Sequence, residues 1–347
     1  MALARRLSRR SVLAAGGVAA LGLVLAACGA GDSTTSGSTT ASNTGSASSG
    51  PWSFTDDRNV TVKLDAAPTR LVAFTGAAGA LADYGLGDKI VGVFGETKRK
   101  DGSPEPQAGE LDVNKVTILG NVWGEFDIEK YASLRPDLLI THEFEPGSLW
   151  YVPDESKDKI TALAQSVAIK TGKISLVKPI ERYAELAKAL GADMNSPKVT
   201  EAKARFDAAV ERLRKAAAEH PDIRVLAASA SADLFYVSSP KTTSDLIYFA
   251  ELGVNIVEPE KVDDGGYFES LSWENSDKYA ADVIMLDSRT MALQPDDLKD
   301  KPAWTKLPAV QAGQVIPWDA VPRHSYAGVA PLLEALAEAI ENAKKLS

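Results

Sequence analysis

The chain has 347 residues, 45% hydrophobic and 24% charged, ordinary values for a globular protein with room for two domains. Its net charge is −9, and the first 27 residues hold four arginines and no acid, so the remainder carries −13, a balance that excludes a nucleic-acid binder and a polybasic membrane patch. The single cysteine, Cys28, excludes an internal disulfide and any cysteine-based zinc site.

Residues 1–27 read as an export signal rather than as part of a fold. Ser8-Arg9-Arg10-Ser11-Val12-Leu13 has the form of a twin-arginine motif, and the apolar run from Val12 to Ala27 is too short for a membrane span. Leu25-Ala26-Ala27-Cys28 has the form of a bacterial lipobox. Cys28 is therefore the expected lipidation site, and acyl chains there would hold the protein at the outer face of the cell membrane. Residues 29–50 are nearly all Ser, Thr, Gly and Ala and predict a flexible tether.

From residue 51 to 195 strands alternate with helices. Val60 to Leu64 predicts an edge strand, Arg70 to Phe74 a short apolar one, Lys89 to Phe94 and Val167 to Ile169 further strands, and Pro136 to Thr141 a buried one. Gly76 and Gly79 predict a tight strand-to-helix turn before a helix from Ala80 to Tyr84; no full GxGxxG accompanies them. Further helices are expected over Asp127 to Leu134, Lys157 to Gln165 and Ile180 to Leu190, with a polar loop from Lys98 to Gln107.

Residues 196–220 form one long predicted helix. Ser196 suits the N-cap and Pro197 the first helical position, while Val199, Phe206, Val210, Leu213 and Ala217 draw a single apolar stripe. At about 1.5 Å per residue it would span roughly 35 Å, enough to cross a molecule rather than fill one core. Beyond it, residues 221–347 again alternate: strands at Ile223 to Ser229, Asp282 to Asp287 and Gly313 to Pro317, helices at Ser244 to Leu252 and Pro331 to Lys345. The fold class is α/β: two lobes, each with a mostly parallel central sheet flanked by helices, joined by the long helix.

The halves echo each other. Glu129 lies eight residues before Asp137, which enters Leu-Leu-Ile-Thr, and Glu274 lies eight before Asp282, which enters Val-Ile-Met-Leu. With the lipobox, the helix between the two segments and the turn from Tyr236 to Lys241, the chain resembles the substrate-binding lipoproteins of ABC importers for ferric siderophores, haem or cobalamin. The resemblance covers roughly residues 70–340. It implies a ligand cleft between two lobes, a permease dimer as partner, and Glu129 and Glu274 as lobe-tip carboxylates that meet arginines of that permease. It implies no catalysis and no resident cofactor, and the protein is expected to be a monomer.

Ligands of open α/β sheets sit beyond the carboxyl ends of the strands. The loops there predict ligand contacts from Trp123, Trp150, Tyr151, Tyr236, Tyr267, Phe268, Arg289, Trp318, Arg323 and Tyr326, an aromatic concentration in a chain only 7% aromatic. Rings and methylenes would pack on a bulky chelate while guanidinium groups donate to its oxygens. A ferric hydroxamate siderophore is the first expectation, since an anionic catecholate would call for several converging cations. Haem, with His142 or His324 as axial ligand, and cobalamin are alternatives, as is a non-transport adhesion or signalling module on the same fold. Neither a GxSxG elbow nor an HExxH motif points to an enzyme, and a zinc site would need more histidine than the three present.

Overall fold

The computed structural model describes residues 50–346; the twin-arginine motif, the lipobox with Cys28 and nearly all of the tether lie outside the described residues. The chain opens with an antiparallel ribbon of β1 (Trp52–Thr55) and β2 (Thr61–Leu64), followed by β3 (Leu71–Phe74), α1 (Thr75–Asp83), β4 (Ile90–Phe94), β5 (Thr117–Ile118), α2 (Ile128–Leu134), β6 (Leu138–Glu143), α3 (Lys157–Leu163), β7 (Gln165–Lys170) and α4 (Val177–Ala189). These strands make a five-stranded, wholly parallel sheet in the order β5-β4-β3-β6-β7. Every residue of β3 and β6 is buried, as expected of parallel strands covered on both faces.

Gly76 and Gly79 do not make the expected turn. The helix begins directly after β3, and both glycines lie inside it. A Cβ at Gly79 would stand 2.3 Å from the Gln107 carbonyl oxygen and 2.7 Å from the Arg323 Cδ. The missing side chain thus lets the 106–108 turn and a residue of the second lobe close onto α1, which outweighs the poor helix propensity of glycine.

The connecting helix is α5 (Pro197–Glu219). After it come β8 (Arg224–Ala230), β9 (Leu234–Ser238), α6 (Ser244–Glu251), β10 (Asn255–Ile256), β11 (Phe268–Ser272), β12 (Val283–Asp287), α7 (Pro295–Leu298), α8 (Pro302–Thr305), α9 (Pro308–Gln311), β13 (Val315–Trp318) and α10 (Tyr326–Asn342). The second sheet runs β11-β9-β8-β12-β13, with the short β10 also on β8. It is mixed: β8, β10, β12 and β13 are mutually parallel, and β9 runs against both β8 and β11. The last helix starts five residues ahead of the expected Pro331, because the Ser325 hydroxyl caps it by accepting from Gly328 N–H at 2.9 Å. Glu274 sits on a single 3₁₀ turn (Trp273–Asn275) rather than on an α-helix.

Two elements straddle the lobes. Val199 of α5 packs into the first core and Lys198 donates to the Ala82 carbonyl at 3.1 Å, whereas Phe206 onward belongs to the second core. There α5 lies on α10, bound by the two-pronged pairs Arg205–Glu334 (2.8 and 2.6 Å) and Arg212–Glu341 (3.0 and 2.6 Å). Helix α4 crosses in the opposite sense: Leu176 and Ile180 at its start pack in the second core, and Tyr183, Leu186 and Ala187 in the first.

Candidate functional site: an inter-lobe cleft

Glu96, two residues past β4, stands near Arg289, two residues past β12, and residues of the two lobes meet across the gap. Tyr267 Oη donates to Glu145 at 3.0 Å, Lys173 N–H to the Thr242 carbonyl at 2.9 Å, and Thr290 Oγ1 bonds the buried Glu105 carboxylate. Arg323 reaches from the second lobe to Asp83 (3.1 Å) and to the Pro106 carbonyl (2.7 Å).

On the first lobe the rings of Trp123, Trp150 and Tyr151 form one cluster, with centroids 4.9 Å (Trp123–Trp150), 5.0 Å (Trp123–Tyr151) and 5.5 Å (Trp150–Tyr151) apart. Trp123 is 64% exposed, an unusual state for so large an apolar side chain, and Val122 beside it is also exposed. Phe144 lies under Trp150 at 4.4 Å. Tyr151 has φ +63°, a left-handed conformation costly for an aromatic residue, and strain of this kind collects at binding sites. Burial, then the neighbouring Glu96 carboxylate to which its hydroxyl bonds, push the Tyr151 phenol well above its ordinary pKa, so it stays protonated.

The second lobe supplies the cations. Arg289, just past β12, donates from Nε (2.9 Å) and Nη2 (2.6 Å) to the wholly buried Asp287, which also accepts from Ser229 Oγ at 3.0 Å. Burial opposes its charge, yet the bonds to Asp287 hold the guanidinium above its ordinary value. Asp319, directly after β13, stands near Arg289 and Arg323; burial pushes its carboxyl up to about 6 against the Val321 N–H and those arginines.

The other expected contact residues have partners of their own within the protein. Tyr236 and Phe268 form an edge-on pair, 5.2 Å apart, on the β9–β11 ladder. Tyr267 forms the cross-lobe bond to Glu145 with Lys173 5.4 Å from its ring centroid. Trp318 is buried, its indole donating to Asp245 at 2.6 Å, and burial raises that carboxyl to about 7 despite the indole's bond. Tyr326 packs on Tyr84 and on Phe206 of the connecting helix.

His142 and His324 are not available as axial ligands for a haem in the cleft. Both are buried beneath its floor, one from each lobe, with ring centroids 4.8 Å apart. His142 packs on Phe74 (4.9 Å), which in turn packs on Tyr151 (5.3 Å), and His324 stacks on Tyr183 (5.9 Å, 8°). Among the described residues, neither nitrogen of His142, nor Nδ1 of His324, nor the Tyr183 hydroxyl has a hydrogen-bond partner. Burial, with His324 adding to it, holds His142 far below the usual imidazole pKa, and burial lowers His324 to about 3.

Glu96, Glu105 and Asp319 were not singled out from the sequence. Glu96 and Asp319 could have been, since each lies within two residues of the carboxyl end of a parallel strand. Glu105 could not, because it sits in a Pro-containing loop whose reach to Thr290 is a matter of tertiary structure.

A pair of α/β lobes with strand ends converging on an aromatic and charged cleft defines a bilobal binding protein. Residues 72–322 match the Periplasmic binding protein family, and the chain belongs to that family. It is 57% identical to DesE, a ferric-siderophore receptor protein from Streptomyces coelicolor, over 85% of this chain and 100% of that one, with a TM-score of 0.82. At 19% identity and a TM-score of 0.63 it shares its fold with the petrobactin-binding protein YclQ of Bacillus subtilis, over 84% of this chain and 99% of that one. The siderophore binding protein of the fuscachelin gene cluster from Thermobifida fusca shares the fold at 21% identity and a TM-score of 0.55, over 79% and 96%. No curated protein sequence matches the chain.

Proposed function

We propose that this protein captures a ferric hydroxamate siderophore in the inter-lobe cleft and delivers it to the permease dimer of an ABC importer, without catalysis. Its likeness to DesE supports the transport class. The observation that carries the ligand is the charge pattern of the cleft. Both of its deep arginines are already paired, Arg289 with Asp287 and Arg323 with Asp83, while Glu96, Glu105 and Asp319 add further carboxyl groups. A strongly anionic catecholate chelate would find no uncompensated positive field there. A neutral or cationic hydroxamate chelate would, in contrast, lay its methylenes on Trp123, Trp150 and Tyr151 and take a hydrogen bond from Arg289.

Tyr236, Tyr267, Phe268, Trp318, Arg323 and Tyr326 complete the proposed contact set, Trp318, Arg323 and Tyr326 as supports behind the surface. Glu129 and Glu274 are both exposed and are the proposed permease contacts. Lipidation at Cys28, twin-arginine export, a tether over 28–50, lobes of 51–195 and 221–347 and a monomeric state belong to the same proposal. No helix among the described residues is long and apolar enough to cross a membrane.

Titration with ferric trihydroxamate, ferric catecholate, haem and cobalamin tests the ligand through tryptophan fluorescence. Saturable quenching is expected with the hydroxamate alone, and tighter binding of any other member would refute the assignment. Glu129→Ala with Glu274→Ala should abolish uptake at unchanged ligand affinity; a loss of affinity would instead place these carboxylates in the binding site.

A further inference from the structure

The loop between β13 and α10, residues 319–325, follows the last strand of the second sheet, yet it packs into the first lobe. Val321 is buried in the first core, His324 meets His142, and Arg323 reaches α1 and the turn at Pro106. The guanidinium donates from Nε to Asp83 at 3.1 Å and from Nη1 to the Pro106 carbonyl at 2.7 Å. Asp83, the last residue of α1, is only 4% exposed and also accepts from the hydroxyl of Ser325, the N-cap of α10. One buried carboxylate of the first lobe thus holds both the arginine and the helix start of the second.

Three glycines make room for Arg323. An added Cβ would stand 2.7 Å from its Cδ at Gly79, 2.6 Å from its Nε at Gly109 and 2.7 Å from its Cβ at Gly328. The first two belong to the first lobe and the third to α10, so the side chain is gripped from both sides. At Gly109, whose φ is +57°, the three nearest atoms all belong to Arg323. The connecting helix is anchored at the same corner: Lys198 donates to the Ala82 carbonyl at 3.1 Å and to Glu110 at 2.7 Å, and Glu110 stands near Arg323. The cross-lobe bond from Tyr267 is looser, because the Glu145 side chain that accepts it is 47% exposed and water competes there.

We propose that Arg323 is the pin that fixes the separation of the two lobes, and that it serves siderophore capture as a positioning residue rather than as a ligand contact. The proposal rests on the reading of the cleft as the siderophore site. A chelate that spans the cleft needs Trp123 and Tyr151 of one lobe and Arg289 of the other at one separation. When the lobes sample other separations, the competent fraction falls and the apparent Kd rises in inverse proportion. Arg323 limits that sampling in two ways. A tilt in one direction drives its side chain into the glycine backbone around it, and a tilt in the other strands the Asp83 carboxylate.

The test reads lobe separation directly. Spin labels at Lys159→Cys on α3 and Glu338→Cys on α10, both exposed positions, report it by double electron–electron resonance in the full chain carrying Cys28→Ser. Arg323→Met removes the pin. Gly109→Asn displaces it from the first lobe, since asparagine tolerates a left-handed backbone and its Cβ meets the guanidinium. Each variant is expected to broaden the distance distribution of the ligand-free protein and to weaken ferric trihydroxamate binding about tenfold, the effect of a competent fraction near about one tenth. Gly102→Asn, at a left-handed glycine with nothing within 4 Å, should change neither reading. Weaker binding with an unbroadened distribution would make Arg323 a ligand contact and overturn the proposal. A lower melting temperature with both readings unchanged would reduce Arg323 to a stabilising partner of Asp83 and overturn it as well. If Arg323→Met does not fold, Gly109→Asn decides on the same readings. Because the distance measurement needs no ligand, a parent that binds no trihydroxamate while the variants broaden the distribution would refute the siderophore reading and uphold the pin.

Discussion

The histidine pair below the cleft leads to a quantitative expectation about acid. His142 and His324 are both buried, and their imidazoles are held neutral, His324 down to about 3. An unfolded chain protonates each near its ordinary value of about 6.5. Because the folded value is the lower one, the stability associated with each neutral ring is fully present above pH 6.5 and is lost as pH falls from there toward the folded pKa. The slope is about 1.4 kcal/mol per pH unit per histidine, or about 2 kcal/mol for each at pH 5. Buried Asp245 and half-buried Asp319 work in the opposite direction. Their folded values are raised to about 7 and about 6, so their contribution is present at low pH and is lost as pH rises through those values. The parent's own stability profile is therefore flattened between pH 4 and 7, and the histidines have to be read by difference. His142→Leu removes one titrating ring without adding a polar atom. In urea unfolding followed by tryptophan fluorescence, the variant should gain on the parent by about 2 kcal/mol between pH 8 and pH 5. Parallel parent and variant profiles across that range would refute the reasoning, since they would mean that His142 titrates alike in folded and unfolded chains.

Three further outcomes follow from the cleft and the leader. Trp123→Ala should leave stability within about 0.5 kcal/mol, as expected for an exposed position, yet weaken trihydroxamate binding about tenfold; equal affinities would remove Trp123 from the site. Arg289→Met should destabilise the fold by about 3 kcal/mol or more by stranding the Asp287 carboxylate, while Arg289→Met with Asp287→Asn should regain most of that stability and none of the ligand affinity. If the double variant bound normally, Arg289 would be only a structural partner of Asp287. Cys28→Ser should release the protein into the medium, and continued recovery with the membrane fraction would count against lipidation.

What the sequence made legible was whatever local chemistry determines. The connecting helix was readable because Ser196, Pro197 and a 3.6-residue stripe all point the same way, and β3, β6 and β12 were readable as apolar runs between polar turns. The reversed strand β9 was not, although the three-residue turn that folds it back on β8 is local, and its further pairing with β11 joins residues some thirty positions apart. The start of α1 was misplaced because the demand on Gly79 comes from Gln107 and Arg323, distant in sequence. The three one-turn helices α7 to α9, each opened by a proline, were likewise not anticipated. In the cleft, aromatic residues drew attention by their rarity, but the partners that decide their role are relational. Arg289 finds its partner Asp287 only two residues away, but nothing in the chain around His142 indicates that it meets His324 from the other lobe.

The oppositely crossing helices α4 and α5 bear on how the molecule comes apart. Leu176 and Ile180 leave the first lobe to complete the second core, and Val199 returns to complete the first. Neither half of the chain therefore contains all of the residues its own interior requires. Heat or denaturant should melt the described body in one transition rather than two, and a gene cut between residues 195 and 196 should yield two insoluble fragments that become soluble only when produced together.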